Sequence, residues 1–308
     1  ALEHTLIPGV SHEALSLKIM EELNIEFDGS LGLAIDIFTN NYSKAYLHQL
    51  ISSQLDVDRL DYLRRESFYS GVTEGSVNSE RLLTMLNVKD DQLVVDSKGI
   101  YSVEKFLVAR RLMYWQVYMH KTVISAEFML VNILKRAKYL ASQGMAIAGP
   151  AALKHFLTED YTWNDFEENP DILKKFLSLD DFDIMSAIKE WTGNKDVLLS
   201  DLSSRIINRD LLKIRLQEEP FEQELSNKMA EGIRNQYGFE HGEEHYMLII
   251  DKVKNHAYNK KKGHINLLYK DGRISDISEA ADQMTINALS EPVERHFICF
   301  PRELRHLL

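Results

Sequence analysis

Residues 55–72 read LDVDRLDYLRRESFYSGV, and the choice of fold turns on them. Successive residues of an α-helix advance by about 100°, so positions four apart stack along one face. Asp58, Tyr62 and Glu66 then share a face with Asp61 and Arg65 beside it, while Leu60 and Leu63 point elsewhere and can pack inward. A carboxylate, a phenol and a second carboxylate in one row suit a metal and sugar hydroxyls. The same spacing makes Asp61–Arg64 and Asp61–Arg65 ordinary surface pairs worth about 0.3–0.5 kcal/mol each. Spacing alone leaves both readings open.

Outward from this stretch, the pattern is mostly helical. Residues 11–24 form an apolar stripe (Leu15, Ile19, Met20, Leu23) behind Ser11 as N-cap. Residues 43–69 continue the helical pattern, broken or carried on around Ser52-Ser53, and 76–87 predict a shorter helix. LVVDSKGIYS, 93–102, reads as part of a small hairpin turning at Ser97-Lys98-Gly99. Residues 102–141 contain no Gly or Pro and predict one long helix. Gly144 and AGPAA (148–152) mark a break, after which short helices run to about residue 218, one of them stopping at Gly193. Beyond Pro220 a helix near 221–236 precedes strand-like YMLIIDKV (246–253), INLLYKDGRISDI (265–277) and RHFICF (295–300), with Asp271-Gly272 as a hairpin signal. The basic segment KNHAYNKKKGH, 254–264, and HGEEH, 241–245, read as surface loops.

The 308 residues, 44% hydrophobic and 27% charged, allow two domains with a sizeable core. A net charge of −11 argues against a general nucleic-acid coat, so an anionic substrate needs a local basic pocket or a metal. No run reaches the roughly 18–20 apolar residues of a membrane span. Cys299, the one cysteine, excludes an internal disulfide and fits a reducing cytoplasm.

ISSQLDVDRLDYLRRESFYSGV closely resembles the last signature helix of HD-domain phosphohydrolases, in their deoxynucleoside triphosphate triphosphohydrolase branch. Two more segments agree in order. ALEHTLIPGVSHEALSLKIM, 1–20, is similar to the continuation of the family's HD…GHGPFSH segment, with His12, Glu13 and Ser16 as its HE-x-x-S element. VARRLMYWQVYMHK, 108–121, resembles its phosphate-binding long helix. The resemblance implies Asp58 as a metal ligand, Arg59 and Arg110 on the triphosphate, Tyr62 and Tyr118 beside sugar or base, and Glu66, usually Asp, on the 3′-hydroxyl. It also implies His12 as the group that protonates or orients the reacting phosphate, with Glu3 as its carboxylate partner and Glu13 adjacent.

The activity so implied is hydrolysis at the α-phosphorus of a dNTP, giving deoxynucleoside and triphosphate. A divalent ion, with Mg, Mn, Fe, Ni and Zn indistinguishable, would activate water, and a His–carboxylate pair would serve a poor leaving group. The family's remaining metal ligands, a histidine and a His-Asp pair, would precede Ala1. The chain is therefore expected to be an N-terminally truncated member, inactive alone. Relatives imply a homo-oligomer, dimer or tetramer, and a nucleotide effector, for which Lys121 or the Arg205, Arg209, Lys213 and Arg215 of RIINRDLLKIRL are candidates. The expected fold is mainly α, an HD-type helical core at 1–141 and a helical extension at 142–219, with a smaller α+β region containing an antiparallel sheet at 220–308. Rival readings are a phosphatase or phosphodiesterase on other nucleotides or phosphoesters, and a catalytically silent nucleotide-binding scaffold.

Overall fold

The structure, a computed structural model, describes residues 5–280 and 292–308. Along the chain run α1 (His12–Glu26), α2 (Gly32–Phe38), α3 (Ala45–Ile51), α4 (Val57–Ser70), α5 (Ser79–Met85), β1 (Leu86–Lys89), β2 (Gln92–Asp96), α6 (Ile100–Met113) and α7 (Lys121–Ser142). There follow α8 (Ala151–Thr158), α9 (Trp163–Glu168), α10 (Pro170–Leu177), α11 (Asp181–Trp191), α12 (Val197–Ile207), β3 (Lys213–Gln217), α13 (Gln223–Tyr237), β4 (Ile249–Asn255), β5 (Asn266–Leu268), β6 (Ile274–Asp276) and β7 (Val293–Phe300). The fold is mainly α with a smaller α+β part. No described helix is long and apolar enough to cross a membrane.

Contacts divide the chain into two compact units, one of residues 1–15, 121–252 and 295–308, the other of 16–120 and 253–294. In the second unit, Leu55, Leu60 and Leu63 pack with Val103, Phe106, Leu107 and Met113 of α6, and Tyr258, Ile265 and Leu267 join the same core. A sheet in the order β1-β2-β5-β6 lies here, antiparallel except for the parallel β2–β5 pair. In the first unit, α7 packs on α8 and α12, burying Ile133, Leu134, Leu198 and Leu202. Arg136 of α7 clamps Asp196 at 3.1 and 2.6 Å and Glu243 at 2.8 Å. The second sheet runs β3-β7-β4, with β3 and β7 antiparallel.

Five expectations are corrected. The hairpin turns at Asp90-Asp91, both at positive φ (52° and 59°), and not at Ser97-Lys98-Gly99, which forms a 3₁₀ turn leading into α6. Short polar side chains tolerate this left-handed backbone, which two-residue hairpins need. The long helix over 102–141 is interrupted by a π turn at Tyr114–Tyr118 and a break before Lys121, without Gly or Pro to announce it. The C-terminal strands do not share one sheet, because β5 pairs in parallel with distant β2. Finally, 254–264 is no plain surface loop, since Asn255, Ala257 and Tyr258 are buried. HGEEH likewise contains a buried Glu244, bonded to Arg234 at 2.6 Å.

Candidate functional site

Helix α4 begins where Asp56 takes an extended backbone and accepts from Arg59 N–H at 2.7 Å and Ser53 N–H at 3.1 Å. This is N-cap geometry, and it satisfies a donor that the first turn would leave orphaned. The Arg59 guanidinium folds back onto the same carboxylate, which is 1% exposed. The helix ends at Gly71, whose φ of 71° provides the left-handed cap. The two aspartates of DVD thus separate: Asp56 is buried in the cap, whereas Asp58 is exposed. Asp61 and Arg65 form an exposed pair at 3.3 Å, the surface ladder that spacing permitted.

The other face of α4 meets α6 and its π turn. Tyr62 stands edge-on to Tyr118, ring centres 6.1 Å apart, and Tyr118 is edge-on to Tyr114 at 5.2 Å. Burial, reinforced by Tyr114, raises the pKa of Tyr62; burial followed by Tyr62, Glu66 and Tyr114 does the same for Tyr118. Both phenols therefore stay neutral and can donate. The Tyr118 hydroxyl is buried and has no hydrogen-bond partner among the described residues. Glu66 is half-buried.

Arg110 differs from the other buried arginines in what surrounds it. It is 8% exposed, and its Nη1 donates to Gln54 Oε1 at 3.4 Å and to the Ala257 carbonyl at 3.3 Å. Among the described residues its Nε has no partner, nor does the buried Nε of Arg59. Among the described residues no carboxylate pairs with Arg110. A buried cation is normally matched by an anion. Asp58, Arg59, Tyr62, Glu66, Arg110 and Tyr118 all belong to one compact unit. Sequence reasoning missed Gln54 and the 257–259 backbone that seat Arg110; Asp56 immediately before an apolar-periodic helix was the visible signal for its cap.

His12 and Glu13 belong to the other unit. They open α1, where Ser11 Oγ accepts from Ala14 N–H at 3.2 Å, and they face each other at 3.5 Å with both side chains largely exposed. The Glu13 carboxyl sits below its usual range, held mainly by a backbone N–H. Glu3 lies outside the described residues. Among those described, no three metal-ligating side chains converge, and Asp58 alone does not make a metal centre.

The same unit as His12 also holds a basic cleft of about 410 Å³ lined by Lys121, Arg209, Lys213 and Arg302. An adjoining one of about 560 Å³ adds Arg215 and Arg305. Arg205 takes no part: it is buried against Asp201, Asp210 and Glu303 at 2.6, 3.3 and 3.3 Å.

Residues 77–146, which include Arg110 and Tyr118, match the family described as HD associated region. A crystal structure of a phosphohydrolase from Bacteroides thetaiotaomicron superposes with a TM-score of 0.93 at 47% identity, over 98% of this chain and 75% of that one. The uncharacterized protein YwfO of Bacillus subtilis is 31% identical over 79% of this chain and 55% of its own length. The deoxynucleoside triphosphate triphosphohydrolase SAMHD1 homolog of Dictyostelium discoideum is 32% identical over 30% of this chain and 19% of its own. The chain spans about half the length, or less, of the curated relatives it matches.

Proposed function

Since this chain belongs to the HD-domain phosphohydrolases, we propose that its 16–120/253–294 unit supplies the phosphate and sugar wall of a dNTP triphosphohydrolase site. The observation that carries this reading is Arg110, buried and, among the described residues, without a carboxylate and with an unpartnered Nε. A triphosphate is the kind of ligand that completes such a group, since guanidinium N–H groups fit phosphate oxygens. Arg59, already half-neutralised by Asp56, offers a second contact. The neutral phenols of Tyr62 and Tyr118 would donate to sugar oxygens, and Glu66 would accept from the 3′-hydroxyl. Asp58, exposed, is the residue in this unit for a divalent ion, whose other ligands would come from outside the described residues; when bound, the ion activates water. His12, with Glu13 and Glu3, is the candidate acid for the deoxynucleoside leaving oxygen. The basic cleft at Lys121, Arg209 and Lys213 would take a nucleotide effector, and assembly into an oligomer belongs to the same reading.

The test is product analysis on the longest gene product that carries this chain, incubated with dNTPs and a divalent ion. Release of inorganic triphosphate with deoxynucleoside supports the reading. Release of orthophosphate transfers the site to a phosphatase, and binding without turnover leaves a nucleotide-binding scaffold.

A further inference from the structure

A separate small cavity of about 140 Å³ lies in the 16–120/253–294 unit, behind the loop that enters α4. Its apolar walls are Leu55, Leu86, Leu93, Val95 and Ile265, and its polar groups include Gln49, Ser52, Ser53 and His264. A dry, wholly apolar cavity of about 150 Å³ holds one six-membered ring; this one has a similar volume with polar groups along one edge. No lysine or arginine lines this one.

The polar edge is built rather than incidental. His264 Nδ1 lies 2.9 Å from Asp276 Oδ2, and the buried Tyr258 hydroxyl donates to the same oxygen. Burial opposes ionisation of Asp276, but the donors of Ser278, Tyr258 and His264 outweigh it and hold the carboxyl below its usual range. An ionised carboxylate only accepts, so His264 donates through Nδ1, and Nε2 is left as the ring's second hydrogen-bonding atom. The carboxylate behind the imidazole disfavours an anion, and a phosphate would find no fixed cation.

We propose that this cavity is a second site for an uncharged pyrimidine nucleoside, with the ring between the leucines and its polar edge on Ser52, Ser53, Gln49 and His264. The nucleoside identity rests on the dNTP reading of the phosphate wall, in which an uncharged deoxynucleoside is a product. The loop couples this site to the phosphate arginines. Ser53 and Leu55 face the cavity, while the intervening Gln54 and the following Asp56 hold Arg110 and Arg59. Ser53 N–H also donates to Asp56 Oδ2 at 3.1 Å, so a shift of Ser53 is a shift of the carboxylate that seats Arg59. Coupling of this kind is reciprocal.

The experiment titrates the full chain with thymidine and deoxycytidine, then with inorganic triphosphate in the presence and absence of nucleoside. Expected are saturable nucleoside binding and at least a threefold change in triphosphate affinity when the cavity is filled. Ser52→Phe, at an exposed position at the cavity, and Leu86→Phe, which fills it, should each weaken nucleoside binding at least tenfold, with triphosphate binding in the absence of nucleoside unchanged. A chain that binds triphosphate but neither nucleoside, or one whose nucleoside binding survives both substitutions, overturns the proposal. Unaltered triphosphate affinity at saturating nucleoside overturns the coupling. Nucleoside binding abolished by Ser52→Phe in a chain that ignores triphosphate upholds the cavity and removes the phosphate-site reading instead.

Discussion

Replacing Arg110 by methionine separates a structural arginine from a receptor for an anion. The guanidinium is 8% exposed, lies 5.9 Å from the centre of the Tyr114 ring, and among the described residues bonds two neutral acceptors, at 3.4 and 3.3 Å. A buried charge carries a desolvation penalty that an apolar side chain of similar volume does not. Against this, Gln54 Oε1 and the Ala257 carbonyl each lose a donor, a cost of about 1 kcal/mol apiece because both bonds are long. The folded state should therefore change by less than about 2 kcal/mol in either direction. Losing one charged partner of a phosphate should cost about 2–4 kcal/mol of binding, or roughly 30- to 1000-fold in Kd. Isothermal titration with inorganic triphosphate gives the second quantity and urea unfolding the first. Parental triphosphate affinity in R110M, or a stability loss above about 3 kcal/mol with binding intact, would make Arg110 a packing residue and refute its role as a receptor.

Asp56→Ala should cost about 2–4 kcal/mol in urea unfolding, since it removes the helix cap and strands Arg59, while Asp58→Ala at an exposed position should stay within about 0.5 kcal/mol. Tyr118→Phe removes a buried hydroxyl that has no partner among the described residues, so stability should hold or rise by up to about 1 kcal/mol; a loss would reveal a structural bond for that hydroxyl. Asp196→Asn breaks the buried Arg136 clamp and should cost about 3–5 kcal/mol. Burial pushes the Asp196 pKa up, but Arg136 and the Leu199 N–H hold it below the ordinary value on balance. Its folded pKa lies below its unfolded one, so its contribution is present above the unfolded pKa and lost as acid passes the folded pKa. Melting curves from pH 6 to pH 2 should show the parent losing that margin while Asp196→Asn is flatter.

Periodicity and local chemistry made much of the fold legible. Ser11 and Gly144 begin or end helices where their residue types predict, and Asp271-Gly272 turns the β5–β6 hairpin. What escaped depends on partners far along the chain. Leu267 pairs with Val95, and neither sequence neighbourhood encodes the other. Tyr258 is buried because Asp276, in a strand eighteen residues on, accepts its hydroxyl. The π turn at Tyr114–Tyr118 keeps an ordinary helical pattern and has no Gly or Pro to mark it. For the site, spacing put Tyr62 on the face of Asp58, but only packing brings Tyr118 against it. It could not distinguish Asp56 from Asp58, two carboxylates two residues apart with opposite exposures.

The acidic excess of the chain sharpens the meaning of Arg110. With 47 acidic residues against 36 basic ones, carboxylates are plentiful, and a buried arginine in such a chain readily acquires them. Arg136 has two and Arg205 three, each arriving from separate elements. Those two arginines are internally neutralised and tie their unit together. Arg110, equally buried, has instead an amide and a carbonyl, which orient a guanidinium without cancelling its charge. A neutral seat keeps the cation available, whereas a carboxylate there would compete with any incoming phosphate. The surroundings of Arg110 thus resemble a socket for an anion more than a salt bridge left unfinished. The same logic ranks Arg59 second: Asp56 fixes its position but also cancels part of its charge.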